Sequence, residues 1–342
     1  MKITTVGLDL AKNVFQVHGV DAEGRPILRK KLRRSELPRF FAGLERCVVG
    51  METCSGAHHW ARELRVLGHE VRLMPPQYVK PYVKTNKNDA ADAAGICEAV
   101  TRPTMRFVAV KSEDQQAVLM LHRARDLLIR QRTMIVNALR GHFAEFGIVA
   151  AQGVWNIGKL VERLADPDER RIPDVARKVL GVLVEQLAAL GTKLRELEAE
   201  LLAWHRSNAA SRRLETIPGI GPITACAIVA TVGDGHQFVS ARQFAAWIGL
   251  VPRQNSSGGK PRLGRISKRG DAYLRRLLVH GSRAVVRWRR VSKATPSPWL
   301  TGLLSRRPTN VATVAMANKT ARIAWAVLTR NETYRSAPIV VA

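Results

Sequence analysis

The sequence is poor in cysteine pairs, in acids and in long apolar runs. Its four cysteines (Cys47, Cys54, Cys97 and Cys226) contain no CxxC pair, which argues against a zinc ribbon and for a reducing cytoplasm. No apolar run approaches the roughly 18 residues of a membrane span, and the chain opens on a strand-like segment, so neither a span nor a signal peptide is expected. Acids are scarce, with 28 Asp and Glu against 55 Lys and Arg, a net charge of +27 and a pI near 11.1. Hydrophobic residues still make up 46% of the chain, enough to bury a core and to exclude a disordered basic tail. A folded protein this basic calls for a polyanionic partner, most simply nucleic acid. At 342 residues, two or three domains are expected.

The charge is unevenly placed. Residues 1–111 carry 19 basic and 11 acidic groups, residues 112–206 carry 14 and 13, and residues 207–342 carry 22 and 4. Between Arg253 and Arg290, twelve Lys and Arg face the single Asp271. Solvated faces usually mix signs, so a one-sign stripe interleaved with Gly, Ser and Tyr273 points to phosphate contacts.

Periodicity divides the chain at the same places. In residues 1–111, Ile3–Leu8, Asn13–Val20, Cys47–Met51 and Glu70–Met74 read as strands, while His58–Leu67 and Ala90–Val100 read as helices, an α/β layer. In residues 112–206, Leu180, Leu183, Leu187, Leu190, Leu194, Leu197, Leu201 and Trp204 alternate steps of three and four. This predicts a coiled-coil-like helical hairpin whose seam needs a partner, either the other helix or a second subunit. Residues 207–342 are mostly helical. There the turn Ile217-Pro-Gly-Ile-Gly-Pro222 has helix-hairpin-helix character, with Gly219 and Gly221 as candidate phosphate-binding amides or as an ordinary tight turn. Trp247, Trp288, Trp299 and Trp325 sit in helical stretches and read as core before base-stacking.

Four acids stand out. Asp9 in VGLDLAK and Glu52 in VGMETCSG close strand-like runs, and Asp89 and Asp92 in KNDAADAAG lie one helical turn apart on one face. Singly they read as turn caps and helix N-terminal acids. Together, in a basic protein, they form a hard oxygen set suited to Mg²⁺. Two such ions, about 3.5–4 Å apart, suit in-line phosphoryl displacement. Gly258-Gly259-Lys260 fails as a P-loop because Pro261 replaces the Ser or Thr, so no ATP site is expected.

GLDLAK, METCSG and KNDAADA, followed by IPGIGPITACAIVATVGD and by FAAWIGLVPRQNSSGGKPRLGRISKRGDAYLRR, resemble the DEDD-type transposases of insertion sequences, relatives of the Piv-type DNA invertases. The resemblance spans essentially the whole chain. It implies a RuvC-like (RNase H-type) N-terminal domain over residues 1–111 with Asp9, Glu52, Asp89 and Asp92 as metal ligands. It further implies a coiled-coil spacer over residues 112–206 and a C-terminal domain over residues 207–342 bearing a serine nucleophile. The Ser preceding Gly in Asn255-Ser256-Ser257-Gly258 is Ser257, with Ser256 the alternative. Arg262, Arg265, Lys268 and Arg269 stand ready to neutralise a phosphoryl transition state. Lys260, Arg275 and Arg276 extend the basic nucleic-acid surface.

The implied function is an RNA-guided DNA recombinase and transposase. It would act through a phosphoserine intermediate on donor and target double-stranded DNA, with a structured non-coding guide RNA, as a homodimer pairing into a tetramer in the bacterial cytoplasm at the nucleoid. Two other readings stay open. A Holliday-junction nuclease would use the same carboxylates with water as nucleophile, leaving Ser257 without a role. A non-enzymatic architectural DNA- or RNA-binding protein would leave four acids near a polyanion unexplained.

Overall fold

A computed structural model of the chain describes residues 2–83, 88–291 and 297–335. They pack as two compact units, Met1–Glu113 and Asp114–Ala342. Lys87, which opens the KNDAADA motif, lies outside the described residues.

The first unit runs β1 (Thr5–Leu10), β2 (Val14–Val20), β3 (Pro26–Arg33), α1 (Leu37–Ala42), β4 (Val48–Glu52), α2 (Ala57–Val66), β5 (Glu70–Met74), α3 (Pro76–Val79) and α4 (Asp89–Val100). The strands form one five-stranded sheet in the order β3-β2-β1-β4-β5. β1 pairs antiparallel with β2 and parallel with β4, and β4 pairs parallel with β5. β3, which the periodicity does not predict, is an edge strand. Its sequence PILRKKLR buries only Leu32, as charged edge strands do when they guard against stray pairing.

The period-two alternation of β1 and β4 sorts their residues between the two faces of the sheet. Val6, Leu8, Val49 and Met51 point into a core with Leu37 and Phe41 of α1 and Ala57, Trp60, Ala61 and Leu64 of α2. Each fully buried Leu, Met or Phe there contributes about 1.5–3 kcal/mol. Gly7 and Gly50 point the other way, against α4. A Cβ on Gly7 would lie 2.1 Å from the Ala93 carbonyl oxygen and 2.5 Å from the Cys97 nitrogen, and one on Gly50 would lie 2.8 Å from Val100 Cβ. The helix therefore seats directly on strand backbone. Gly7→Ala should force α4 off the sheet at a cost of about 3 kcal/mol or more. A thermal melt of that variant should show the first unit unfolding on the order of 10 °C lower; an unchanged melt would refute this packing argument.

The second unit contains α5 (Glu113–Glu145, whose first residue closes the first unit), α6 (Ile157–Ala165), α7 (Asp174–Ser207), α8 (Ala209–Glu215), α9 (Pro222–Val232), α10 (Ala241–Trp247), β6 (Pro252–Gln254), β7 (Leu263–Ile266), α11 (Ala272–Val291), α12 (Pro298–Leu304) and α13 (Thr309–Arg330). Leu180, Leu183, Leu187 and Leu190 of α7 pack with Leu128, Ile135, Leu139 and Phe143 of α5 and Leu160 of α6. Farther along, Leu201 and Trp204 meet Val118, and Arg125 pairs with Glu198 at 2.7 Å. On this face the seam's partner is the antiparallel helix of the same hairpin. Beyond it, α9 is buried along most of its length among α8, α10, α11 and α13. The β6–β7 hairpin is absent from the mostly helical expectation, although Gly-Gly between two short runs is a hairpin signal. Among the described residues, no helix is long and apolar enough to cross a membrane.

Candidate active site

The carboxylates follow from the same alternation. Asp9 lies two residues beyond Gly7 and Glu52 two beyond Gly50, so both extend the sheet face that α4 covers. Their neighbours Leu8 and Met51 are register partners, which puts the two acids side by side on adjacent strands. Asn88 caps α4 by accepting from the Ala91 amide at 2.8 Å, fixing where the helix begins. Asp89 and Asp92 then fall in its first turn, beside the favourable end of the helix dipole.

Carboxylate oxygens of Asp9, Asp89 and Asp92 lie within 4.8 Å of one another. Asp89 is exposed and the other two are half-buried, so an ion can reach them from solvent. Glu52 stands outside this group of three. Burial first, then the charges of Asp9 and Glu52, push the Cys54 thiol up. Clustered hard-oxygen donors with one open side fit a divalent cation, and without one the three like charges would repel each other.

The predicted serines lie in the second unit, at the tip of the β6–β7 hairpin. Lys260 N–H donates to the Ser257 carbonyl at 3.1 Å, and Gly258 and Gly259 both take positive φ, +56° and +73°. That is a two-residue turn of the primed type, closed on conformations that glycine adopts without strain. Ser256 and Ser257 are exposed. The Ser256 hydroxyl accepts from the Arg262 amide at 3.0 Å, whereas the Ser257 hydroxyl has no hydrogen-bond partner among the described residues.

The basic residues divide into two groups. Lys260, Arg262, Arg265, Lys268 and Arg269 are exposed on or beside the hairpin. Arg275 and Arg276, predicted as nucleic-acid contacts, have internal partners. Arg275 donates to the carbonyls of Ile248 at 2.8 Å and Arg269 at 2.9 Å, and Arg276 pairs with Asp126 and lies over Tyr273. Gly219 is likewise a packing residue: a Cβ on it would meet the Gly281 carbonyl at 3.0 Å, and one on Gly281 would meet the Gly219 carbonyl at 1.8 Å. Its positive φ of +89° suits glycine. Gly221 remains exposed at the start of α9. Trp247 stacks with Phe244 in the core, Trp325 donates to the Gly235 carbonyl, and Trp288 is exposed.

Sequence reasoning overlooked one polar chain. His205 bridges Ser211 Oγ and Glu215 Oε2, each at 2.8 Å. Ser211 is fully buried, so no substrate reaches it, and the chain ties α7 to α8.

An α/β layer carrying clustered carboxylates at one end of its sheet is an arrangement suited to metal-assisted chemistry on phosphodiesters. Residues 6–148 match a transposase family of the DEDD IS110 type, and residues 211–295 match the Transposase IS116/IS110/IS902 family. The chain is 51% identical over 336 residues to a "Probable family 20 transposase" of Pseudomonas aeruginosa, covering 98% of this chain and 99% of the relative. It is 43% identical to the transposase for insertion sequence element IS1328 of Yersinia enterocolitica, covering 97% and 98%. With the transposase for IS1111A of Coxiella burnetii it shares 42% identity over 97% and 92%. The chain belongs to the IS110/IS116 family of insertion-sequence transposases. It is therefore an enzyme that acts on DNA, and its α/β unit is consistent with a RuvC-like DEDD domain that uses a divalent metal.

Proposed function

We propose that this transposase cuts and exchanges DNA strands through Ser257, with Asp9, Glu52, Asp89 and Asp92 holding two Mg²⁺ ions. The observation that carries the reading is the convergence of three of those carboxylates from β1 and α4. When bound, the metal neutralises charge on the scissile phosphate and favours the serine alkoxide. The protein's own groups do the rest. The glycine turn presents the Ser257 hydroxyl to solvent, free of the internal bond that engages Ser256. Lys260, Arg262, Arg265, Lys268 and Arg269 supply positive charge around the phosphate that Ser257 attacks. Ser257 Oγ forms a bond to phosphorus as the bridging P–O bond of the DNA breaks. The serine proton passes to water, the leaving oxygen takes up a proton from water, and the phosphoserine bond retains the phosphodiester energy for rejoining.

The same reading includes a guide RNA, a dimer that pairs into a tetramer, and the division of the chain at residues 111 and 206. The whole-chain family membership supports it, and so does the excess of positive charge after residue 206. The test is a plasmid carrying the element's ends, incubated with protein purified from cells that also carry the native flanking DNA. The expected result is covalent protein–DNA complexes that survive denaturant in Mg²⁺, disappear in EDTA, and require one discrete co-purifying RNA. Free cut ends with no adduct would instead favour water as the nucleophile. Full activity after complete RNA removal would eliminate the guide.

A further inference from the structure

We propose that a pocket at the carboxylate end of the sheet, on the opposite face, binds one unstacked nucleotide of a single strand. The pocket, about 630 Å³, is lined by Asn13, Arg33, Arg34, Ser35, Pro38 and Trp60. That volume is within the range of sites that hold a small organic ligand. Three observations give it a chemistry. Trp60 is 6% exposed, packs edge-on against Phe15 at 5.4 Å, and its indole Nε1 has no hydrogen-bond partner among the described residues. That nitrogen is itself buried, so the indole serves as a rigid floor beneath the Arg34 side chain. The Arg34 guanidinium lies over that indole, 5.1 Å from its centroid, on an exposed side chain with no acidic partner among the described residues. Arg33 adds a second exposed cation at the rim, since the neighbouring Glu36 carboxylate accepts from the Arg33 backbone amide.

Two guanidiniums, one of them backed by an indole, with an amide and a hydroxyl match a base joined to a phosphate. The outer face of the Arg34 guanidinium provides stacking and charge, and Asn13 and Ser35 can meet the base edge. Double-stranded DNA does not offer such a group, because its bases are stacked and paired. The position also fits. Asn13 lies in the β1–β2 turn, four residues beyond Asp9, and Arg33 pairs in register with Val14. Trp60 rises from α2 on one face while Asp9 faces α4 on the other, so one strand crossing this end of the sheet can touch both. Edge strands often carry lysines merely to discourage pairing, which explains Lys30 and Lys31 but not an arginine stacked over a buried indole.

The inference rests on the chain acting on DNA, and its test is independent of Ser257 and of metal. Full-length protein in EDTA would be titrated with fluorescein-labelled oligo-dT, oligo-rU and a duplex, at salt high enough to suppress diffuse binding. Arg34→Ala should weaken binding of at least one single-stranded probe about tenfold while leaving duplex binding within about twofold. Arg39→Ala removes an equal charge from α1 outside the pocket lining and should change neither. Ultraviolet crosslinking of a thio-substituted strand should map to the Arg33–Pro38 or Ala57–Arg62 peptides. A loss confined to oligo-dT identifies a displaced DNA strand as the ligand, and one confined to oligo-rU identifies RNA. Equal losses for Arg34→Ala and Arg39→Ala, an effect on duplex as large as on single strands, or no loss at all would overturn the proposal.

Discussion

Asp92→Ala is expected to lower DNA strand cleavage at least about a thousandfold, equivalent to roughly 4 kcal/mol of transition-state stabilisation. Asp9→Ala and Asp89→Ala should behave alike, because each removes one of three carboxylates that lie within 4.8 Å of one another. Glu52→Ala should also lose cleavage, although its side chain stands beside that group and not within it. The variants should still fold. Removing one of several clustered like charges relieves repulsion in the metal-free protein, so its melting temperature should hold or rise. The diagnostic readout is thermal: Mg²⁺ or Mn²⁺ should raise the melting temperature of the wild type by mass action and raise that of the variants far less. Retained cleavage in any three of the four alanine variants would sink the assignment, as would a metal-induced shift as large as the wild type's.

Ser257→Ala should abolish the covalent protein–DNA complex together with cleavage, leaving stability unchanged because its hydroxyl has no hydrogen-bond partner among the described residues. Ser256→Ala should do the opposite in part. It loses the bond from the Arg262 amide, worth about 1 kcal/mol to the hairpin, yet keeps the adduct at reduced yield. Peptide mapping of trapped adducts separates the two positions directly. If the adduct maps to Ser256, the nucleophile moves by one residue; if the double alanine variant cuts DNA at the wild-type rate, the serine mechanism is finished.

The strands and helices of the first unit were legible wherever burial imposes a clear period, as in Cys47–Met51 and Glu70–Met74. β3 was not, because an edge strand buries one face lightly and its Arg and Lys break the alternation. Asp89 and Asp92 were legible as a pair from their spacing, and Asp9 as a strand-end acid, but what brings the three together was not. It depends on Gly7 and Gly50 letting α4 approach the sheet, and such closeness leaves no hydrophobic signature. The internal contacts of Arg275, Arg276 and Gly219 were not legible, because composition does not reveal which cation also meets a carbonyl or carboxylate, or which glycine lies against a helix. The Ser257 hairpin was encoded in Gly258-Gly259, whose left-handed conformations close the turn.

The close glycine contacts also shape what genetics will see in this enzyme. Gly7 meets α4, Gly249 lies against the Arg269 backbone, Gly270 against the Trp247 carbonyl, and Gly281 against Gly219, each with no room for a methyl group. None of these residues carries chemistry. In a saturation screen scored only by transposition, they should nonetheless fail as completely as the carboxylates. A map of intolerant positions would then trace the seams where backbones touch as sharply as the reaction centre. Pairing the screen with a measure of protein abundance will separate the two, because the glycine variants disappear from the cell whereas the carboxylate and serine variants accumulate as full-length, inactive protein.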